Sequence, residues 1–304
     1  MKQGTWRRIK RYKMMYLFLL PALITVILFS YKPMVGIIMA FQDFDINYSY
    51  LSSPFVGLKH FREFLQDPDF YRALRNTLAL GSLSLLFGFP IPIIFALVLN
   101  ELKSNKLKRV SQTISYLPHF ISWVVTSTII LRLLDQNSGV INNIIAMFGG
   151  ERIAFMRKPE YFWAIVVITN IWKETGWSSI IYLSALAGID QEMYEAAMVD
   201  GANRWKRIIY ITLPSIAPTI GLLFVLNVGS LITSGGLFDA VYNLQNALVA
   251  EKAQTLEMMA YMEGIAYMRY SYATAITLTQ SVVSFSMVMI ANKIYKKLTG
   301  ESVF

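Results

Sequence analysis

The sequence predicts an all-α integral membrane protein: six transmembrane helices, both chain ends on the cytoplasmic side, and a polar helical hairpin between the fourth and fifth helices. Three observations predict it. Of the 304 residues, 55% are hydrophobic and 15% charged, where soluble domains carry about 25% charged residues. The apolar residues gather into runs near the ~20 residues that a helix needs to cross the hydrocarbon core. Lys and Arg concentrate in alternate connecting segments, which fixes an orientation.

The runs follow in order. The first, Met14–Phe41, is interrupted by Lys32 and Pro33. With the basic Lys2–Lys13 before it, it has the outline of a cleaved signal, but no A-x-A site follows and apolar character resumes at Met34–Ala40, so a retained helix is expected. The others are Thr77–Leu99, Ile114–Leu134, Tyr161–Leu183, Ala217–Leu237 and Tyr272–Ile294. A basic cytoplasmic tail (1–13), a membrane domain (14–294) and a C-terminal cytoplasmic tail (295–304) are therefore expected. Between the third and fourth runs, Val140, Ile141, Ile144, Ile145 and Phe148 share one helical face. That spacing suits a short helix lying on the outer surface, or equally a loop folded onto the bundle.

The N-terminal tail, 101–113, 184–216 and the C-terminal end of the chain together hold sixteen Lys and Arg; 42–76, 135–160 and 238–271 hold nine, against twelve Asp and Glu. The first set is assigned to the cytoplasm. The net charge of +9 then lies largely against the anionic inner leaflet, where each cation contributes about 1 kcal/mol. Membrane lipid accounts for it, and no nucleic-acid partner is implied.

Several chemistries are excluded. The chain has no cysteine, hence no disulfide, zinc thiolate or thiol nucleophile. His60 and His119 stand far apart in sequence, each read as a lone polar side chain, so no metal site is expected. G-x-x-x-x-G-K-[ST], G-x-S-x-G, H-E-x-x-H and the dinucleotide fingerprint are all missing. The chain is expected not to be an enzyme by itself and to hold no cofactor.

The stretch YEAAMVDGANRWKRIIYITLP, Tyr194–Pro214, breaks the apolar pattern. Asp190 is placed to cap a helix, and Glu192 and Glu195 favour its positive start. The helix runs through Met193, Ala196, Ala197 and Val199 until Gly201, which can take positive φ and end it. A second helix restarts at Ala202, carries Trp205, Lys206 and Arg207 on a basic side, and is expected to break near Pro214 and Pro218. A solvated hairpin and a docking element both fit.

Glu195-Ala196-Ala197, Asp200-Gly201-Ala202, and Ile211 with Leu213-Pro214 resemble the EAA motif of binding-protein-dependent ABC importer permeases, E-A-A-x-x-D-G-A with a downstream I-x-L-P. The aromatic often found eight residues after the Asp is Ile208 here. RRIKRYKMMYLFLLPALITVILFSYKPMVGIIMAFQDFD, RALRNTLALG, YLPHFISWVV and IWKETGW extend the resemblance over nearly the whole chain, to the LplB-like carbohydrate branch linked to oligosaccharides derived from polysaccharides. The resemblance implies that the first hairpin helix is a cytoplasmic coupling helix seated on a separate ATPase subunit. It also implies a second homologous permease, two ATPase domains that bind ATP and Mg, an extracellular sugar-binding lipoprotein, and a bacterial cell-membrane location.

For a substrate path, Asn170, Lys173, Glu174 and Trp177 form one stripe on the fourth helix at i, i+3, i+4 and i+7. Charges at mid-helix cost roughly 2.5–3.5 kcal/mol on insertion scales and face a bundle interior or a cavity. Adjacent residues do not face each other, so Lys173 and Glu174 need separate partners. The stripe suits sugars or an interhelical polar clamp, and both stay open. Asn227 and Ser230, with Thr274, Thr277 and Gln280, are weaker candidates, since polar residues also bind helices together. Two other classes remain. An ion-gradient carrier would use midmembrane acids, of which Glu174 is the one clear case, and inverted repeats, which are not evident. A membrane enzyme would need a catalytic cluster, which is not evident either.

Overall fold

The computed structural model describes residues 11–49, 52–300, 302 and 303. The expected basic tail 1–13 therefore lies almost wholly outside the described residues. Apart from an isolated antiparallel bridge between Gln42 and Phe55, the described residues carry no β pairing; the protein is all helix and connection.

The first helix, α1 (Lys13–Val26), passes through a π turn at Ile27–Tyr31 into a 3-10 stretch, Lys32–Phe41. Lys32 and Pro33 do not interrupt it: Pro33 opens the 3-10 stretch, where a missing N–H breaks nothing. No residue of α1 is buried. Contact with the bundle begins near Ala40, which packs against the last helix.

A short amphipathic helix, α2 (Lys59–Gln66), leads to α3 (Pro68–Leu83). Here the helix starts earlier than the hydrophobic run, because Asp67 accepts from Asp69 N–H and Pro68 is preset for the first turn. A π turn, Ser84–Gly88, joins α3 to α4 (Pro90–Asn100), making one long crossing.

The third run is not one straight helix, which corrects the expectation for Ile114–Leu134. Helix α5 (Asn105–Tyr116) ends in a 3-10 turn, Leu117–Phe120; the chain then bends by 102° into α6 (Trp123–Leu133). Pro118 tightens the turn, Ile121 is extended, and Ser122 caps α6 by accepting from Val125 N–H.

Helix α7 (Val140–Met147) occupies the segment where the one-sided pattern suited a short helix or a folded loop. Helix α8 (Phe162–Ala187) follows. Its 26 residues span roughly 39 Å at the α-helical rise; Asn170, Lys173 and Glu174 interrupt the apolar character of its middle.

Helix α9 (Gln191–Val199) and α10 (Arg204–Arg207) form the hairpin, and α10 runs on through a π turn, Ile208–Thr212, into α11 (Leu213–Gly229). The expected break near Pro214 and Pro218 does not occur. The wider turn before Pro214 accommodates its ring, and Ser215 donates to the Ile211 carbonyl at 2.7 Å. After a turn at Ser230–Gly236, α12 (Phe238–Leu244), α13 (Ala250–Ala253) and α14 (Leu256–Tyr261) fold back over the bundle, and α15 (Tyr270–Thr299) closes it. Helix α15 runs into the segment expected as a tail.

Among the described residues, four helical stretches are long and apolar enough to cross a membrane: Lys13–Phe41, Pro68–Asn100, Arg204–Leu244 and Tyr270–Thr299; the bent α5–α6 pair makes a fifth if counted as one. Three apolar cores hold the bundle. One joins Phe64, Phe70 and Tyr272; a second joins Leu80, Phe162 and Val241; the third, Ile93, Tyr182, Leu186 and Ile216, lies under the hairpin.

Candidate functional site

Two regions meet the requirements of a site, a cavity beside α8 and the α9–α10 hairpin. The cavity encloses about 610 Å³ and is bordered by Asn170, Glu174 and Trp177 of α8 together with Asn227 of α11. These four of the sequence candidates come together. Phe89, Trp123 and Tyr182 add aromatic wall, and Ser84 and Ser178 add hydroxyls.

Lys173 does not border the cavity. Its side chain is 5% exposed, and its amine donates to the Pro118 carbonyl at 3.3 Å and the His119 carbonyl at 2.6 Å. Both carbonyls lie at the bend, where the helix breaks, and the Pro118 carbonyl also accepts from Ile121 N–H at 3.2 Å. The Trp123 ring lies 5.6 Å from the same amine.

Glu174 has a different principal partner, as adjacent helix positions require. A Glu174 oxygen lies 2.7 Å from His119 Nδ1, and the other lies 3.5 Å from Lys173 Nζ. His119 is thus not the lone side chain expected. Its ring also stacks on Trp177, parallel to within 1° at 4.4 Å between centroids. No periodicity pairs residues 119 and 174. The available signal is Pro118 within an apolar run, which marks a break and a polar residue at its corner.

The weaker candidates separate. Asn227 borders the cavity while donating to its own helix at the Leu223 carbonyl, 2.8 Å away. The hydroxyls of Ser230, Thr274 and Thr277 turn back to backbone oxygens one turn earlier. Gln280 is buried and donates to the Ile232 carbonyl at 2.9 Å, joining α15 to the Ser230–Gly236 turn.

The hairpin is built by local chemistry. Asp190 accepts from Glu192 N–H at 3.0 Å and opens α9. At its end Gly201 takes φ +74°, with Ala202 N–H donating to the Ala197 carbonyl at 2.8 Å and Gly201 N–H to the Met198 carbonyl at 3.1 Å. These two bonds form a Schellman stop. Asn203 then caps α10 through Lys206 N–H. Tyr194 shares a 2.9 Å hydrogen bond with the buried Thr212 hydroxyl, tying α9 to the π turn before Pro214. The hairpin thus rests on the α4–α8–α11 core. Its outer side is bare: Val199 is 88% exposed and Trp205 72%. Ala196 is exposed and Ala197 half-buried. Glu195 borders a cleft of about 860 Å³ shared with Lys108, Arg204 and Arg207.

The family described as the binding-protein-dependent transport system inner membrane component matches residues 88–300, which include α8 and the whole hairpin. The chain belongs to this family. It is a permease subunit of an ABC importer, a multi-pass protein of the cell membrane, and not an ion-gradient carrier. Such a permease works with a partner permease, ATPase subunits and a binding protein. Protein LplB of Bacillus subtilis (strain 168) is 44% identical to the permease over 97% of this chain and 92% of its own length. The polygalacturonan/rhamnogalacturonan transport system permease protein YteP of the same organism is 41% identical over 96% and 90%. Among solved structures, a bacterial ABC transporter involved in the import of the acidic polysaccharide alginate superposes on it with a TM-score of 0.88 at 40% identity, covering 97% of this chain and 99% of the other. A second, of the alginate transporter in complex with alginate pentasaccharide-bound periplasmic protein, gives 0.87 at 40% identity, with 98% and 99% covered.

Proposed function

We propose that this permease forms half of the translocation path for an oligosaccharide delivered by an extracellular sugar-binding lipoprotein. The observation that carries the substrate class is the cavity wall. Asn170, Glu174 and Asn227 supply hydrogen-bonding groups beside the Trp177 indole, one face of which His119 covers; polar groups next to an aromatic ring are the combination that sugar hydroxyls and an apolar sugar face require. The uronan-related substrates named for YteP and for the alginate transporter agree with a saccharide.

The chain crosses the membrane six times, with both ends and the hairpin in the cytoplasm. The four long apolar stretches, the bent α5–α6 pair and α8 supply the crossings, and the Lys and Arg distribution supplies the direction. The chain catalyses no reaction of its own. ATP and Mg are bound by the ATPase subunits. Glu195, Ala196, Ala197, Asp200, Gly201, Ala202 and Pro214 form the joint that receives their closure: α9 is the docked helix, Gly201 sets its angle to α10, and the run through Pro214 carries the movement into α11.

The test is isolation of the tagged permease from its native membrane in mild detergent, with a cysteine placed at Ala197. A second permease and an ATPase in the same particle, cross-linked to that cysteine, are expected, with ATP-dependent uptake after reconstitution. Uptake without ATP by a particle holding this chain alone would refute the reading.

A further inference from the structure

Resting on the oligosaccharide reading, we propose that Lys173 is a positioning residue that holds the Leu117–Ser122 elbow, and through it His119, against Glu174 and Trp177 at the wall of the transport cavity.

Three features of the structure meet at this point. Gly176 brings α8 into backbone contact with the end of α5: a Cβ there would lie 2.0 Å from the Ser115 carbonyl oxygen. One turn away, the buried Lys173 amine donates to both the Pro118 and His119 carbonyls. A cation at the C-terminal end of a helix adds a partner to the last carbonyls and offsets the negative dipole. The elbow then places the His119 ring on the Trp177 face with Nδ1 toward Glu174.

The ring of His119 covers one face of Trp177. A saccharide using that face must displace it, and Lys173 sets how firmly the elbow returns. Lys173 does not itself border the cavity, although its amine also lies 3.5 Å from the Glu174 carboxylate. It works through the backbone of 118 and 119.

The test uses the full importer in proteoliposomes, with this subunit alone carrying ¹⁵N-histidine. The chain has two histidines, so His60→Asn assigns the spectrum. Lys173→Met is expected to move the His119 resonance, and Lys173→Arg, which keeps the donors, to restore it. Tritiated uronate and neutral trisaccharides, loaded on the binding protein recovered with the importer, give the rates. For Lys173→Met, kcat is expected to fall about tenfold, the factor carried by one charge-assisted hydrogen bond. KM, set by docking at the outer face, is expected not to move. An unmoved His119 resonance would overturn the proposal. So would loss of the assembled particle in both variants, which would make Lys173 a clamp of the fold. Failure of the unsubstituted importer to transport any trisaccharide would overturn the oligosaccharide reading beneath it.

Discussion

Gly201 offers the sharpest test of the hairpin. It holds φ +74°, and a Cβ built on it meets nothing within 4 Å. A substitution here therefore costs backbone strain alone within this chain. Holding an L-residue in the left-handed region costs roughly 1–2 kcal/mol, with Asn largely spared. Gly201→Ala should then lower the equilibrium constant for the seated hairpin by about 5- to 30-fold. Gly201→Asn should recover most of it, and Gly201→Val should fall below Ala because a branched Cβ is still worse in this region. The readouts are the affinity of the detergent-purified permease for its ATPase and ATP-driven uptake in proteoliposomes. The order Gly, Asn, Ala, Val in both is the expected result. If Ala matched Gly, the φ value would be irrelevant to coupling. If Asn did no better than Ala, the glycine would be serving a close approach by the partner, and the reasoning from backbone strain would be wrong.

Two further outcomes follow from other contacts. Gly176→Ala places a Cβ 2.0 Å from the Ser115 oxygen, so the α5–α8 approach must open; overpacking of this kind costs about 1–3 kcal/mol, and a lowered midpoint of thermal unfolding in detergent checks it. Burial, and next the like charge of Asp239, push the Glu257 carboxyl from 4.5 up to about 7. Its folded value lies above its unfolded value, so it destabilises the fold progressively as pH rises from 4.5 to 7, by up to about 3 kcal/mol. Glu257→Gln should flatten that part of the stability–pH curve and stabilise the permease at pH 8; an unchanged curve would refute the assignment.

What the sequence disclosed was local. Asp190 and Gly201 announce the ends of α9 because a cap and a left-handed stop are decided within a few residues. The Asn170–Glu174–Trp177 stripe is legible because helical spacing places it on one face. Lys173 was grouped with it by spacing, yet its long side chain swings to another helix, and spacing says nothing of where a flexible amine ends. The bend at Pro118 was concealed by an apolar run that continues across it. The continuity through Pro214 and Pro218 was concealed for the opposite reason: the prolines advertise a break, and the π turn that relieves the first is a hydrogen-bond shift with no residue signature. The His119–Glu174 contact joins residues 55 apart and exists only once the elbow is formed.

The first helix carries a consequence for synthesis. It leaves the ribosome ahead of the crossings that follow it, and none of its residues is buried among the described residues. It must hold its shape in lipid on hydrogen bonds internal to itself, as a spanning helix can. Selection on it by this chain is then selection on composition: sufficient length and apolarity, with the identity at each position free to drift. Wherever a scan of substitutions found α1 positions intolerant of one apolar residue for another, the constraint would have to come from a neighbour outside this polypeptide, and those positions would map that neighbour's footprint.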